Sequence, residues 1–159
     1  KSVRELTDQG GPFVYTPDNL AAFNDIIARY PSDQKRSAVL PCLYLVQYQQ
    51  GYITGEAMRY VAGLLEITPA DVEDVVTYYT MFFRKPVGKF VLSVCRTLSC
   101  AVNGAERVVE EICQHLHIKP GETDASGTFT LIEAECLGAC DRAPVGMVND
   151  AWQELQRPE

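Results

Sequence analysis

The sequence predicts an α+β fold, an N-terminal helical bundle followed by a small α/β domain. Three observations carry this. Apolar residues recur at helical spacing through the first half, and the period changes to that of strands after Arg84-Lys85-Pro86-Val87-Gly88. Two close cysteine pairs, Cys95 with Cys100 and Cys136 with Cys140, then follow two of the strand-like runs. The expected boundaries are residues 1–15 as a mobile arm, 16–85 as the bundle and 86–159 as the α/β domain.

Residues 1–15 hold no sustained period and contain Gly10-Gly11-Pro12, which suits an arm or a tail lying along the surface. Thr16 is a good N-cap and Pro17 suits the first helical position; Leu20, Phe23, Ile27 and Tyr30 then share a face until Pro31 stops the helix. From Ser32 a second pattern places Val39, Cys42, Leu43 and Val46 on one stripe, and Pro41 either kinks that helix or marks its first turn. Gly51 ends it. Thr54 caps a third helix with Met58, Val61, Ala62 and Leu65 inward, and Thr68-Pro69 opens a fourth with Asp71 in its first turn and Val72, Val75, Val76 and Tyr79 at helical spacing. Tyr78, Tyr79, Met81, Phe82 and Phe83 form a longer aromatic cluster than one helix face needs, and packing is the preferred reading over a partner surface.

In the second half, Lys89 to Val94 reads as a strand that delivers Cys95 at its C-terminal end, where ligands gather in open α/β sheets. A helix from about Gly104 to His117 turns Val108, Val109, Ile112 and Leu116 inward. Asp124-Ala-Ser-Gly127 is a turn, and Thr128 to Ala134 a strand that delivers Cys136. Val145 to Val148 is a further strand, with Asn149-Asp150 as a hairpin turn into Ala151-Trp152. Strand, helix, strand, strand is compatible with a thioredoxin-like α/β domain, with other α+β folds left open.

Composition bounds the function. With 159 residues, 47% of them hydrophobic, the chain buries a real core. A net charge of -7 and a pI near 4.8 exclude a binder of phosphate backbones, which requires clustered Lys and Arg. No run approaches the roughly 18 apolar residues that would span a bilayer, and no secretory pattern opens the sequence. A soluble chain in a reducing compartment is expected, so its six cysteines read as thiols rather than a disulfide framework.

Two thiol pairs at neighbouring strand ends suit a 2Fe-2S cluster, in which each of two irons takes two protein ligands, one pair to each iron. A structural zinc site also takes four thiolates, but the C-x3-C spacing of Cys136-Leu-Gly-Ala-Cys140 is unusual for it, and the C-x-x-C of a thiol redox enzyme is absent. Zinc, a disulfide and unligated thiols stay open on spacing alone. Gly138 can take φ > 0 and turn backbone N–H groups toward sulfur, and Ala139 keeps the wall small. Cys42 and Cys113 read as small core hydrophobes, and His115 and His117 as capping groups at a helix C-terminus. Arg96 and Arg142, each close after a cysteine of one pair, read as potential-raising cations, partners for a carboxylate or solvated charges.

Together these residues resemble a known family. Cys95-x4-Cys100 with Cys136-Leu-Gly-Ala-Cys140, Ala143-Pro144-Val145, Val148-Asn149-Asp150, Ile118-Lys-Pro-Gly121 and Gly51-Tyr52-Ile53 look like the 24 kDa, or E, subunit family of respiratory complex I, over about Pro31 to Asp150. The resemblance implies a helical bundle followed by a thioredoxin-like ferredoxin domain with one 2Fe-2S cluster, its ligands Cys95, Cys100, Cys136 and Cys140. It implies a heterodimeric flavoprotein partner that carries FMN and the NADH site, with one-electron exchange between cluster and flavin off the main route to quinone. The expected place is the cytoplasmic face of a bacterial inner membrane, or the matrix side in mitochondria. That family usually continues beyond the Asn149-Asp150 turn, whereas the sequence stops at Glu159, and what such a segment would contact is left open.

The expected enzyme is NADH:quinone oxidoreductase, an NADH dehydrogenase of the respiratory chain, with this chain as a non-catalytic subunit. No G-x-G-x-x-G and no P-loop is present, so the chain alone is not expected to oxidise NADH, and no catalytic residue is assigned. The alternatives are the same module in an NAD-linked hydrogenase or formate dehydrogenase, and a zinc-stabilised interaction domain.

Overall fold

A computed structural model of the chain describes residues 11–154, which form six α-helices and a four-stranded sheet. The helices α1 to α4 precede the sheet, and the described residues fall into two compact units that meet in sequence at Pro86 and Val87. Among the described residues no helix is long and apolar enough to cross a membrane.

The helical unit is set by side-chain caps. Helix α1 (Pro17–Ile27) begins where Thr16 accepts the N–H of Asn19. Phe23 is buried on its inner face, but Leu20 is 40% exposed, contrary to expectation. Asn19 takes the inward place in the first turn instead, its amide donating to Gln49 Oε1 at 2.8 Å. A 3-10 turn (Lys35–Ala38) leads directly into α2 (Val39–Gln50), so Pro41 lies in the first turn, where its missing N–H forfeits no helical bond. Gly51, at φ 87°, closes α2 by donating its N–H to Gln47 O.

Thr54 caps α3 (Gly55–Leu65), and Thr68 with Asp71 forms a reciprocal capping box on α4 (Pro69–Tyr78). Leu43, Val46, Ile53, Val61, Leu65, Val72 and Phe82 fill the core of this unit without reaching solvent appreciably. The aromatic segment divides: Phe82 is buried, while Tyr78 and Met81 are exposed. Gln47 straps it down, donating to Met81 O and accepting the Phe83 N–H, both at 2.9 Å.

Of the expected arm, residues 1–10 lie outside the described residues. Its last part is anchored, because Phe13 and Tyr15 are buried and pack edge-on against the Tyr60 ring. An aromatic pair able to reach a core gains more from burial than from staying solvated.

The second unit holds β1 (Phe90–Cys95), α5 (Leu98–Val102), α6 (Ala105–Leu116), β2 (Phe129–Ala134), β3 (Gly146–Val148) and β4 (Ala151–Gln153). The sheet order is β2-β1-β3-β4, with β1 parallel to β2 and the other pairs antiparallel. A parallel pair needs a long crossover, which α5 and α6 supply. Leu131, Val145 and Ala105 are the most buried residues of its core, joined by Val94, Val109 and Ile118. The expected turns form: Asp124 accepts the N–H groups of Thr128 and Phe129, and Asn149 turns β3 into β4 while accepting the Val91 N–H. Helix α5 is an addition, for five residues are too few to show a helical period.

Candidate metal centre

Strand β1 runs directly into the centre. Its last residue, Cys95, keeps sheet pairing through its N–H to Val145 O at 3.0 Å, and the next N–H, of Arg96, donates to Ala134 O. The chain then turns at Thr97 into α5, which carries Cys100. Because β1 and β2 pair in parallel with Cys95 opposite Ala134, the chain leaving β2 brings Cys136 to the same end of the sheet. Cys140 follows at the start of a short 3-10 turn (Cys140–Arg142). The four cysteines assigned from spacing thus gather at one sheet end.

The two pairs differ in environment. Cys95 and Cys100 are each 2% exposed, whereas Cys136 and Cys140 are open to solvent. Cys136 Sγ and Cys140 Sγ stand 3.4 Å apart. Two thiolates on one tetrahedral metal, at ~2.3 Å each, lie roughly 3.7 Å from one another, so this pair is close to ligating distance. Among the described residues no group of three or more His, Cys, Asp or Glu side chains is gathered for a single ion.

Hydrogen bonds favour the thiolate at one member of each pair. Burial pushes the Cys95 thiol up, but the hydroxyl and N–H of Thr97, the Cys100 thiol and the Leu137 N–H together hold it below the ordinary thiol range. Cys136 is held down first by the Gly138 N–H, then by the Cys140 thiol and the Thr97 hydroxyl. Gly138 sits at φ 86°, the backbone geometry that turns its N–H this way. Their neighbours shift the other way. Cys100 is raised by burial and by Cys95 despite a bond from the Val145 N–H, and Cys140 is raised by its hydrogen bond to Cys136. A bound cation would favour the thiolate form of all four. The donor set fits an iron-sulfur cluster.

The remaining candidates lie apart from the thiols or are occupied. Arg96 pairs with Glu135 at 2.6 Å, and Arg142 with Glu154 at 3.0 Å and Asp141 at 3.5 Å. These exposed pairs are screened by solvent and add little to stability. Cys42 is fully buried in the helical core and its thiol is pushed up to about 12 by burial. Cys113 is half-buried on α6, raised by burial and then by Glu133, Glu110 and Glu122. His117 forms the left-handed C-cap of α6 with His115 in its last turn. Thr97 and the N–H groups of Leu137 and Val145 went unnoticed in the sequence, since a hydrogen bond to sulfur leaves no spacing signature.

Comparison with known proteins agrees with this chemistry. A family model described as thioredoxin-like [2Fe-2S] ferredoxin matches residues 23–159. The E subunit of the NADH-quinone oxidoreductase of Rickettsia bellii is 43% identical over 148 residues, covering 92% of this chain and 89% of that protein. The protein of the same name from Mycobacterium tuberculosis H37Rv is 41% identical over 155 residues. That match takes in 95% of this chain but spans only 61% of the Mycobacterium protein. A solved NAD+-reducing [NiFe]-hydrogenase shares the fold, with a TM-score of 0.64 at 16% identity, over 75% of this chain and 20% of the matched one.

Proposed function

The chain belongs to the thioredoxin-like [2Fe-2S] ferredoxin family, and from that membership we propose that it is the electron-transfer subunit of an NADH:quinone oxidoreductase, holding one 2Fe-2S cluster on Cys95, Cys100, Cys136 and Cys140. The observation that carries this is the gathering of two thiol pairs at one sheet end, one buried and one exposed, with backbone N–H groups aimed at their sulfurs. When bound, such a cluster takes up and returns a single electron.

The protein's part is to hold and tune. Burial of Cys95 and Cys100 shields one side of the centre from water, while the N–H groups of Thr97, Leu137, Gly138 and Val145 stabilise negative sulfur. The exposed Cys136 and Cys140 mark the side on which an electron donor or acceptor comes closest. That partner is the NADH-binding flavoprotein with its FMN, in a peripheral arm on the cytoplasmic or matrix side of the membrane. The same module in an NAD-linked hydrogenase is the second reading, supported by the shared fold. Identity of 41–43% to the two quinone-reductase relatives favours the first.

The test is anaerobic. The chain should take up about two irons and two sulfides, turn brown, and give a rhombic electron paramagnetic resonance signal only after dithionite. Expressed with its neighbouring genes, it should co-purify with an FMN protein that oxidises NADH. One zinc without colour or signal would sink the reading.

A further inference from the structure

Thr97 occupies the N-cap position of α5, where a threonine hydroxyl ordinarily accepts a backbone N–H of the first turn. Thr16, Thr54 and Thr68 do this at their helices; Thr97 makes no such bond. Its Oγ1 instead lies 3.2 Å from Cys95 Sγ. The hydroxyl therefore faces the thiol that β1 delivers rather than the turn of its own helix. Against a thiolate only the hydroxyl can donate, and bonds to charged acceptors exceed those between neutral groups. A bond donated to sulfur offsets part of the negative charge that a reduced centre gains, so it favours the reduced state more than the oxidised one.

We propose that Thr97 is a positioning residue of the centre, its hydroxyl directed to Cys95 and raising the reduction potential of the cluster that Cys95 helps to hold. This rests on the reading of the four thiols as ligands of a 2Fe-2S cluster. One electron arrives from the reductant and stays on the centre. The hydroxyl keeps its proton, and no bond to sulfur is made or broken. Giving up the cap bond costs α5 local stability, which the contact to sulfur offsets.

The experiment uses the full chain loaded anaerobically with iron and sulfide, in wild-type, Thr97→Val and Thr97→Ser forms, each titrated with dithionite under electron paramagnetic resonance. Valine keeps the branched shape without the hydroxyl, and serine keeps the hydroxyl. Thr97→Val should shift the reduced-to-oxidised ratio at a fixed potential about tenfold toward oxidised, which is about 59 mV for a one-electron couple. Thr97→Ser should stay within about twofold of wild type, since the donor is retained.

A loaded Thr97→Val chain with an unshifted potential overturns the proposal, as does a serine variant shifted as far as valine. A valine variant that folds by circular dichroism yet takes up no iron, while serine loads, assigns Thr97 to assembly and also overturns it. A wild-type chain that takes up no iron is a different failure, that of the cluster reading itself.

Discussion

The hydroxyl of Tyr15 donates to the carbonyl oxygen of Cys42 at 2.8 Å, 27 residues further along the chain and inside the helical core. This bond ties the segment before α1 to the first turn of α2, and the Tyr15 ring adds edge contacts to Phe13 and Tyr60. Tyr15→Phe keeps the ring and removes only the bond. It should lower stability by about 1 kcal/mol, read as a reduced urea midpoint at unchanged slope.

Cys42 gives the helical unit a pH dependence on the alkaline side. Its thiol ionises near 12 in the folded chain, against ~8.5 when unfolded. Between these values the unfolded state has lost a proton that the native state still holds, so stability present below pH ~8.5 drains away as pH rises, at about 1.4 kcal/mol per unit. Tyr15, pushed up by burial and then by Cys42 and Tyr60, acts in the same direction from about pH 10. Cys42→Ala should flatten the slope of unfolding free energy against pH between about 9 and 12; an identical slope would remove Cys42 as its source.

Thiol accessibility should sort the cysteines. In the metal-free chain Cys136 and Cys140 should be alkylated by iodoacetamide first, with Cys42, Cys95 and Cys100 protected by burial. Loading the centre should protect the exposed pair as well. Peptide mass mapping of the modified chain reads this directly, and fast labelling of Cys95 would contradict the fold of the site.

Gly138→Ala tests the backbone. No atom lies within 4 Å of an added methyl group, so any effect comes from φ 86° alone. A left-handed alanine costs about 1–2 kcal/mol, and relaxing that strain moves the N–H away from Cys136. The variant should lose its cluster faster to a chelator, seen as quicker bleaching of the visible bands, with overall helicity unchanged.

Much of the fold was legible because it is written in short local rules. Thr16, Thr54 and Thr68 announced their helices through cap chemistry, and Asp124 and Asn149 their turns. Pro41 was ambiguous for a physical reason: proline suits both a first turn and a kink, and only the 3-10 turn before Val39 decides between them. Leu20 pointed the wrong way because a first-turn residue has neighbours on one side only, and Asn19 won the inward place through its bond to Gln49. The cysteine spacing exposed two pairs. That the pairs meet depends on the parallel register of Cys95 with Ala134, a non-local fact no window of sequence contains.

The same register has a consequence for synthesis. Cys100 and Cys136 are separated by 36 positions, and the second pair reaches the first only through β2 laid beside β1. At about 5–20 residues per second, a ribosome leaves the first pair waiting roughly two to seven seconds for its counterpart. A nascent chain in that interval offers two thiols and no enclosure. A set of four thiols is therefore complete only once β1 and β2 have joined, so the closing of the site and the pairing of these strands are one event.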